Sequence, residues 1–526
     1  MHDLAQLNRT AVGRTLAGSV VGALIVSLAA CGTADEDDKL PVPHHSYVTR
    51  PDLTPPVVDV REDSDQASGG YTFLTPNFDS ESPSDGGLIL DAAGEPVWLE
   101  PAEDDDLDDD IFDLRVQEYQ GEPVLTYFQG SSREGRGNGD ILILDQSYEE
   151  IARVTTGGDL EAGNADFHDT VITPEGTMLL GAYVPVEYDL TEVGGPADGW
   201  VEDAVIQEID IATGEVLFEW SAIDRIPLTE SMADYEDEAK SAEEEAEEDD
   251  DAPGFPTEEN PYDYFHINSI TEDDDGALLV SARHTHAVYK LDRTSGEVEW
   301  KLGGEDSDFE MGDGAVFSWQ HDAKRAPDGT LTLLDNHSHD PDADESSRGL
   351  RLEVDEAAMT AEVVTEYLPP EERVGFAMAN AQELDNGNML IGWGMAPLYS
   401  EYTNDGELLR DVCHGAKCYG DDYDGNGTSY RAYTFEWEGT PSTPPDVVVQ
   451  DDDDGEPTVY VSWNGATEVA QWRLVTGEDE AGATEQAVVD RESFETAIPM
   501  PDDAPYVAVE ALDAEGDVLA TGTPAE

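Results

Sequence analysis

A strand–turn–strand pattern recurs along the middle of the chain and constrains its fold more than any other feature. Three copies, within residues 264–394, read YFHINSITEDDDGALLVSARH, FSWQHDAKRAPDGTLTLLDNH and FAMANAQELDNGNMLIGWG. Their turn glycines, Gly276, Gly329 and Gly387, lie 53 and 58 residues apart. A fourth copy, FHDTVITPEGTMLLGAY, occupies residues 167–183. Repeats of this length built from short strands are typical of a β-propeller.

Three histidines, His168, His266 and His321, occupy the same place in three copies of this pattern. Equivalent residues of successive propeller blades converge on the central channel, so we expect the three histidines to meet there. Counting strand pairs over residues 70–437 predicts about six blades. The sequence therefore predicts an all-β fold, with a six-bladed β-propeller over residues 56–440.

The sequence pattern changes after Pro441. A proline-rich linker, TPSTPPDVVVQ, leads into the alternating strands VYVSWNGATEVAQWRLVTG and YVAVEALDAEGDVLATG. Such strands, with a tryptophan in the first, predict a small C-terminal β-sandwich over residues 441–526, like fibronectin type III. No catalytic constellation is visible in this segment, which favours a packing or interaction role.

Two acidic runs, residues 103–110 and 235–252, interrupt the strand pattern and are interpreted as insertions. The second is typical of a solvated helix or a disordered loop. A shorter stretch, 422–426, resembles the first half of an EF-hand calcium loop, but Tyr433 stands where that loop needs a bidentate glutamate. Solvated acidic loops are the simpler interpretation, and no metal or other cofactor is predicted.

The N-terminus resembles a bacterial lipoprotein export signal. Residues 1–30 combine a basic start with an apolar run, 20–30, that is too short to span a bilayer. The run ends in Leu-Ala-Ala before Cys31, which would become the lipidated first residue of the mature protein. Residues 31–55 are polar and proline-rich, as expected of a tether. We expect an exported protein held at the outer face of the membrane by this lipid alone; a buried hydrophobic helix is the alternative.

Two further cysteines, Cys413 and Cys418, lie in the segment CHGAKC. In an exported protein, a close pair with nothing else to bond is most simply a small disulfide loop. The alternative is a metal site that also uses His414, although a zinc site normally needs four ligands.

The formal net charge is −96, because 121 Asp and Glu residues face only 25 Lys and Arg. Such a charge excludes nucleic acid as a partner through simple repulsion. The acidity is spread over every segment, which favours a surface adapted to high external salt, where repulsion is strongly screened. The charge therefore indicates a halophilic habitat rather than a chemistry, and it leaves the oligomeric state open.

The tightest chemical cluster contains His266, Asn268 and, at the far end of the same hairpin, Arg283. An antiparallel hairpin returns its second strand beside its first, so Arg283 is expected near His266. His321 and Asn336 stand on paired strands of the next copy, and Asn336 is expected to help bind the substrate. Three histidines, an arginine and an amide that converge in a channel make a site for an oxyanion. They make no obvious metal site, because carboxylate ligands are missing from these positions.

Several segments together resemble one enzyme family: HDTVITPEGT, the H-x-N-S segment with its trailing Ser-x-Arg-His, WKLGG, FSWQHD with LLDN, NGNMLIGWG and SYRAYTFEWEG. Jointly they are similar to the bacterial arylsulfate sulfotransferases that do not use PAPS, and most similar to the actinobacterial and fungal branch. The resemblance covers roughly residues 46–440. It implies an enzyme that moves a sulfuryl group from an aryl sulfate donor to a phenolic acceptor.

The resemblance also implies roles for individual residues. His321 matches the histidine that the family sulfates transiently. His168 and His266 match histidines that line the same site. Asn268 and Arg283 match the amide and the guanidinium that hold the sulfuryl group.

This chain departs from the family at one position. The family uses a threonine from a later blade, where this chain reads AMANAQEL, with no Thr or Ser. Asn380 is expected to take the place of that threonine, and a loss of activity would show there.

The residue types also suit this chemistry directly. A neutral imidazole is a good nucleophile toward sulfur, and its N-sulfonate is reactive enough to pass the group on. A phenolic oxygen, with a pKa of about 10, needs a proton when it leaves and loses one when it attacks. His168 or His266 can serve as acid and then as base. Arg283 and Asn268 would stabilise charge on the transferring oxygens. We expect ping-pong kinetics with a sulfohistidine at His321.

Two other functions stay open on the sequence alone. A non-catalytic propeller would bind a ligand at the cell surface, or water would intercept the sulfohistidine and make the site an aryl sulfate hydrolase. Formylglycine-dependent sulfatases are excluded, since neither Cys413 nor Cys418 begins a C-x-P-x-R motif. The sequence contains no phosphate-cradling P-loop, which argues against a PAPS-dependent enzyme.

Overall fold

The computed structural model describes residues 40–78, 83–102, 110–133, 135–248, 253–340, 343, 345–420, 423, 426–452, 454–500 and 504–525. Over these residues the fold is all-β, as predicted, apart from one α-helix and four short 3₁₀ turns. None of the helices in this part of the chain is long and apolar enough to cross a bilayer. The expected export signal and the lipidation site at Cys31 lie outside the described residues.

The strands before residue 436 belong to six sheets of four or five strands each. In chain order the elements are β1 (Asp59–Asp63), β2 (Tyr71–Asn77), β3 (Gly86–Leu90), β4 (Pro96–Pro101), β5 (Asp110–Tyr119), β6 (Glu122–Arg133), β7 (Arg136–Leu144), β8 (Glu150–Val154), β9 (Thr170–Ile172), β10 (Thr177–Tyr188), β11 (Gly199–Asp210), β12 (Val216–Ser221), α1 (Tyr235–Glu248), β13 (Ile267–Glu272), β14 (Leu278–Ala282), β15 (Ala287–Leu291), β16 (Val298–Gly303), β17 (Glu310–Met311), β18 (His321–Arg325), β19 (Leu331–Asp335), β20 (Arg348–Asp355), β21 (Thr360–Tyr367), β22 (Asn380–Glu383), β23 (Met389–Gly392), β24 (Leu398–Tyr402), β25 (Leu408–Cys413) and β26 (Thr428–Phe435).

The sheets follow one another along the chain, and its two ends interlock the first sheet with the last. The strand orders are β26-β2-β3-β4, β5-β6-β7-β8, β12-β11-β10-β9, β13-β14-β15-β16, β17-β21-β20-β19-β18 and β1-β25-β24-β23-β22, which we number sheets 1 to 6. The late strand β26 completes sheet 1, and the early strand β1 completes sheet 6. Each of these two sheets therefore combines segments from opposite ends of this region.

One edge strand of each sheet contacts the edge strands of its neighbours. In cyclic order these strands are β26, β5, β9, β13, β18 and β22, and β22 again contacts β26. Apolar side chains fill the space between adjacent sheets, as Leu179 and Ile206 of sheet 3 do against Leu278 and Val280 of sheet 4. The edge strands therefore form a closed ring of contacts, and residues at their starts come close together.

Six charged side chains meet where these edge strands converge, and we call them the central charge cluster: Asp113, Arg115, Asp169, Asp322, Lys324 and Arg431. Arg431 is fully buried, and its Nη1 lies 3.2 Å from Asp113 and 3.0 Å from Asp169. Its Nη2 lies 3.5 Å from Asp322 and donates to the carbonyl of Asn268 at 2.8 Å. One arginine thus ties together strands from five sheets.

The C-terminal region contains two further sheets, with strand orders β27-β28-β31 and β30-β29-β32-β33. Their strands are β27 (Asp446–Asp451), β28 (Pro457–Ser462), β29 (Gln471–Gly477), β30 (Thr484–Asp490), β31 (Glu495–Pro499), β32 (Tyr506–Leu512) and β33 (Val518–Gly522). Val459, Trp472 and Leu474 pack in a shared core. The Asn464 side chain accepts from the N–H of Leu99 at 2.9 Å, so this region contacts sheet 1.

The structure differs from the predicted tether over residues 40–55. Leu53 is fully buried, and the ring of Tyr47 lies 4.4 Å from that of Phe494. The N–H of Thr49 donates to the carboxylate of Glu495 at 2.7 Å. The polar, proline-rich composition of this stretch conceals apolar residues that pack against the C-terminal region. The remainder of the predicted tether lies outside the described residues.

The predicted insertions and the cysteine pair also have defined places. The second acidic run, 235–252, forms helix α1 through Glu248, while its last residues, like 103–109 of the first run, lie outside the described part. Cys413 and Cys418 form a disulfide with a Cα–Cα distance of 5.7 Å. Most of the calcium-loop resemblance at 422–426 also falls outside the described residues.

His266 is not strictly equivalent to the other two histidines. His168 and His321 stand eight residues before their turn glycines, whereas His266 stands ten before Gly276, and Asn268 holds the equivalent position. A register shift in the pairing of β13 with β14 accommodates the extra residues. His266 takes a left-handed backbone conformation, with φ of 57°. The predicted equivalence was therefore wrong by two residues, although His266 still reaches its neighbours.

We expect Asp169→Asn to lower the free energy of unfolding by about 3–5 kcal/mol, because it leaves buried arginines without a partner charge. Burial opposes the charge of Asp169, but Arg431 and Arg115 outweigh it and lower the pKa of this carboxyl. Urea unfolding followed by tryptophan fluorescence measures the change. The exposed residue Asp159 provides the control Asp159→Asn, expected within about 0.5 kcal/mol of the wild type. Equal stability of both variants would contradict the importance of the cluster.

Candidate active site

A pocket of about 390 Å³ lies at the starts of the edge strands. Its wall contains His168, His266, Arg283 and His321, so the structure brings together the four residues predicted to be catalytic. The other lining residues are Gly135, Arg136, Phe167, Glu238, Ser241, Ala242, Phe255, Asn260, Pro261, Asp263, His284, Ala377, Met378 and Tyr430.

His321 begins β18, and Asn336 holds its ring in one tautomer. The Asn336 Nδ2 group donates to the carbonyls of Gly375 at 2.6 Å and Met378 at 3.1 Å, which leaves Oδ1 as an acceptor. His321 Nδ1–H donates to this Oδ1 at 2.7 Å, so the lone pair lies on Nε2. Burial and then the cation Arg283 lower the pKa of His321 well below 6.5. The ring is therefore neutral and nucleophilic near neutral pH.

His168 is held by a carboxylate two residues earlier. Its Nδ1 lies 2.6 Å from Oδ2 of Asp166, and its backbone N–H donates to the same oxygen at 2.8 Å. The other oxygen of Asp166 accepts from the N–H of Gly137 at 2.7 Å. Because an ionised carboxylate only accepts, Nδ1 of His168 carries a proton and Nε2 is the nitrogen available for proton exchange.

His266 is held in the same way by Asp263, whose Oδ2 lies 2.6 Å from its Nδ1. Burial lowers the pKa of His266, and Asp263 partly offsets this effect. The ring centroids of His168 and His266 are 4.8 Å apart. The pocket thus presents two histidine–carboxylate pairs side by side, next to the Asn336-held ring of His321.

Arg283 is one of two arginines in the pocket wall; the other, Arg136, is paired with Glu202. The backbone N–H of Arg283 donates to the carbonyl of His266 at 2.8 Å, so the hairpin places the two residues side by side. The guanidinium donates to the carbonyl of Phe376 and to Nε2 of His284, and lies 4.7 Å from the ring of Trp319. Its Nε is buried and has no hydrogen-bond partner among the described residues. Burial lowers the pKa of Arg283 to about 10, so it stays charged at neutral pH.

The three predicted substrate-binding amides occupy different places. Asn336 orients His321, as described above. Asn268 is fully buried and donates to the carbonyl of Gln320 at 2.6 Å, while its Oδ1 has no hydrogen-bond partner in the part of the chain that the structure describes. The Asn380 side-chain amide donates to the carbonyl of Ala432 and accepts from the N–H of the same residue. Neither Asn268 nor Asn380 lines the pocket, so the structure does not bring these two to the histidines.

Several residues of the site were not predicted from the sequence. Asp166 and Asp263 precede their histidines by two and three residues, and this D-x-H and D-x-x-H spacing was the available signal. His284, the residue after Arg283, also lines the pocket. Tyr430 lies in a segment that was used only for the family resemblance. Nothing in the sequence indicated that Glu238, from the acidic insertion, would reach the site.

One group of pocket residues has the composition of a metal site. The ligand atoms of Asp263, His266 and His284 lie within 4.8 Å of one another. However, His284 Nδ1 lies 2.6 Å from the carbonyl oxygen of Asp263, and its Nε2 accepts from Arg283 at 2.9 Å, so both of its nitrogens are engaged. The guanidinium would also repel a second cation. The arrangement favours an anion in this pocket.

The site combines three chemical capabilities within one cavity. His321 offers a neutral nitrogen nucleophile of defined tautomer. His168 and His266, each held by a carboxylate, can donate and accept a proton. Arg283 offers a fixed cation for an oxyanion. Together these groups suit transfer of an anionic group by way of a covalent histidine adduct.

Comparison with known proteins supports one family. A sequence model of the arylsulfotransferase (ASST) family matches residues 115–414. No curated protein matches the chain. Similar solved structures include a protein of unknown function from Bacteroides caccae, with 12% identity, 69% of this chain and 98% of that chain covered, and a TM-score of 0.40.

Two further solved structures are similar at the same low level. Virginiamycin B lyase from Staphylococcus aureus shows 11% identity over 77% of this chain and 95% of that chain, with a TM-score of 0.32. The β-propeller domain of Cps50 (Swd1) from Myceliophteria thermophila shows 11% identity over 68% and 90%, with a TM-score of 0.34. At these values the likeness carries no argument about activity.

We expect His321 to remain neutral through mildly acidic pH, and Arg283→Gln to raise its pKa. In the wild type, burial, the Arg283 cation and the two neighbouring histidines all lower the pKa of His321, and the substitution removes the effect of the cation. Since its pKa is lower in the folded chain, protonation of His321 also favours unfolding, so stability falls as pH drops below 6.5. An NMR titration of the histidine side chains measures the pKa of His321 in the wild type and in Arg283→Gln. The exposed Arg225 provides the control Arg225→Gln, and an unchanged His321 pKa in Arg283→Gln would contradict the coupling.

Proposed function

The chain belongs to the arylsulfotransferase (ASST) family, and on that premise we propose that it transfers a sulfuryl group from an aryl sulfate ester to a phenolic acceptor. The observation that carries the proposal is the Asn336-held tautomer of His321 in a pocket that also holds Arg283. A nucleophilic nitrogen beside a fixed cation is the arrangement that attack on an anionic ester requires.

In the first half-reaction, Nε2 of His321 attacks the sulfur of the donor. The N–S bond forms, the bond from sulfur to the aryl oxygen breaks, and the leaving oxygen takes a proton from His168 or His266. The sulfated ring keeps its Nδ1 proton, which the Asn336 Oδ1 accepts. Arg283 stabilises charge on the sulfuryl oxygens, where electrostatic stabilisation is usually the largest contribution.

In the second half-reaction, a phenolic acceptor attacks the sulfohistidine. The same histidine, now neutral, takes the phenolic proton, and the N–S bond breaks as His321 regains its lone pair. Donor and acceptor use one pocket in turn, which predicts ping-pong kinetics. Burial lowers the pKa of His266, and Asp263 partly offsets this effect, which assists an acid role of His266 in the first step.

Hydrolysis of the aryl sulfate is the second candidate function. Water would replace the phenol in the second half-reaction, and no other residue would change its role. Glu238, an exposed residue, lines the pocket, so water can reach the site, and this favours hydrolysis as the second candidate. A non-catalytic ligand-binding role has no comparable support, because it does not require a defined tautomer at His321.

We also propose the arrangement and location of the chain. Sheets 1 to 6 are the blades of a six-bladed propeller, which the closed ring of edge-strand contacts supports. The two C-terminal sheets form a sandwich like fibronectin type III. Export as a lipoprotein anchored through Cys31 is supported by the disulfide between Cys413 and Cys418. Membership of the actinobacterial and fungal branch, and adaptation of the acidic surface to high salt, are parts of the same proposal.

We expect His321→Ala to abolish covalent labelling by a radiolabelled aryl sulfate, because the nucleophile is removed. Incubation with 4-nitrophenyl sulfate, with and without phenol, is the activity measurement. Release of nitrophenol that depends on phenol indicates transfer, and release without phenol indicates hydrolysis. His44→Ala, outside the pocket, is the matched control and should label normally. Labelling of His321→Ala would overturn the assignment, and absence of release by the wild type would favour a binding role.

We expect Asp166→Asn and Asp263→Asn to distinguish the proton-transferring histidine. An amide can donate where the carboxylate accepted, which favours the wrong tautomer. The affected variant should lose about 10²–10⁴-fold in the first half-reaction with phenyl sulfate. Its loss with 4-nitrophenyl sulfate should be smaller, because that phenolate leaves more easily without a proton. Equal losses with both donors, in both variants, would exclude general acid catalysis by either pair.

A further inference from the structure

Helix α1 forms one side of the pocket mouth, although its sequence is that of a solvated acidic run. Glu238, Ser241 and Ala242 line the pocket. Their spacing of three and four residues places them on one face of the helix. The acidic insertion is therefore part of the site wall rather than a loop remote from it.

The start of the helix is fixed to the site by several contacts. The N–H of Met232 donates to the carbonyl of His284 at 2.6 Å, and the Tyr262 hydroxyl donates to the carbonyl of Ala233 at 2.7 Å. The Tyr235 ring lies 5.3 Å from that of Phe255 and 5.4 Å from that of Tyr262. Because these contacts flank the first turn, the position of Glu238 is set by the body of the protein.

Glu238 differs from the other carboxylate among the pocket-lining residues. Asp263 lies deep and is engaged by His266. Glu238 lies on the solvent-exposed side of the pocket wall. Partial burial of its carboxyl and then the charge of Asp263 raise its pKa, whereas Arg283 lowers it. The charges of the pocket are thus unevenly placed: Arg283 lies beside the histidines, Glu238 lies on the exposed helix, and the second arginine, Arg136, is paired with Glu202.

From this asymmetry we propose that Glu238 makes the site prefer phenolic acceptors that carry a cationic substituent over those that carry an anionic one. The inference rests on the proposed function and names the acceptor class of the same site. An acceptor must direct its hydroxyl at the sulfur on His321, so its opposite end points away from Arg283 and toward the mouth. A protonated amine there meets Glu238 favourably, whereas a carboxylate is repelled.

The test compares three phenols of similar shape: tyramine, 4-hydroxyphenylacetate and 4-ethylphenol, which are cationic, anionic and neutral. The sulfohistidine is formed with 4-nitrophenyl sulfate, and kcat/KM is measured for each acceptor at constant ionic strength. Glu238→Gln should reduce the ratio of tyramine to 4-hydroxyphenylacetate by about tenfold. The value for 4-ethylphenol should stay within about twofold, and added salt should shrink the wild-type ratio.

Glu236→Gln is the matched control, since Glu236 is exposed on the same helix and does not line the pocket. It changes the net charge equally and should leave the ratio unchanged. A ratio insensitive to Glu238→Gln, or equally sensitive to Glu236→Gln, would overturn the proposal.

Failure of the proposed function would be recognised separately, by absence of transfer to any phenol. In that case calorimetric binding of tyramine and 4-hydroxyphenylacetate to the full chain still decides the inference. A preference for tyramine that Glu238→Gln removes supports it, and no preference in the wild type contradicts it.

Discussion

Three pairs of neighbouring residues join the central charge cluster to the pocket. In His168–Asp169, His321–Asp322 and Tyr430–Arg431, the first residue lines the pocket and the second belongs to the cluster. The arginine of the last pair contacts the aspartates of the other two, in the buried region where the edge strands converge. A displacement of either histidine would therefore separate buried charges, which is costly away from water. The cluster, rather than the pocket itself, gives the site its rigidity.

The same constraint explains the unusual backbone at the site. His266, Trp319, Asp322 and Met378 all have positive φ, which residues other than glycine adopt at a cost. Asp322 can remain in this conformation because its carboxylate contacts Arg431 and accepts from the N–H of Ala381 at 3.0 Å. Favourable charge contacts in the core thus support the strained chain that turns side chains into the pocket.

Much of the fold could be predicted from the sequence because it depends on short-range patterns. The alternation of apolar residues and the turn glycines located the strands of the central repeats, and the hairpin from His266 predicted the position of Arg283. The interlocking of β1 with sheet 6 and of β26 with sheet 1 could not be predicted, since it pairs residues more than 300 positions apart. Local periodicity carries no information about such partners.

The candidate site was predictable only in part, for a related reason. The repeat indicated which segments converge, and so found His168 and His321. It could not indicate which way each side chain turns, because left-handed residues break the alternation of the strand. Asn268 therefore stands in phase with those histidines yet does not line the pocket, while His266, two residues out of phase, lines it. Glu238 lines the pocket because tertiary contacts position helix α1, and the acidic composition of this helix predicts only that it is solvated.

Arg283 would have two effects on the proposed reaction, and both depend on its positive charge. As a cation it would hold the sulfuryl oxygens, and with burial it lowers the pKa of His321, keeping the nucleophile unprotonated. Replacement by a neutral residue would weaken both effects together. In a chain with a net charge of −96, this buried cation also gives an anionic donor a favourable endpoint despite repulsion from the surface. In the proposed reaction, Arg283 would hold the sulfate of the donor, and Glu238 would discriminate among acceptors.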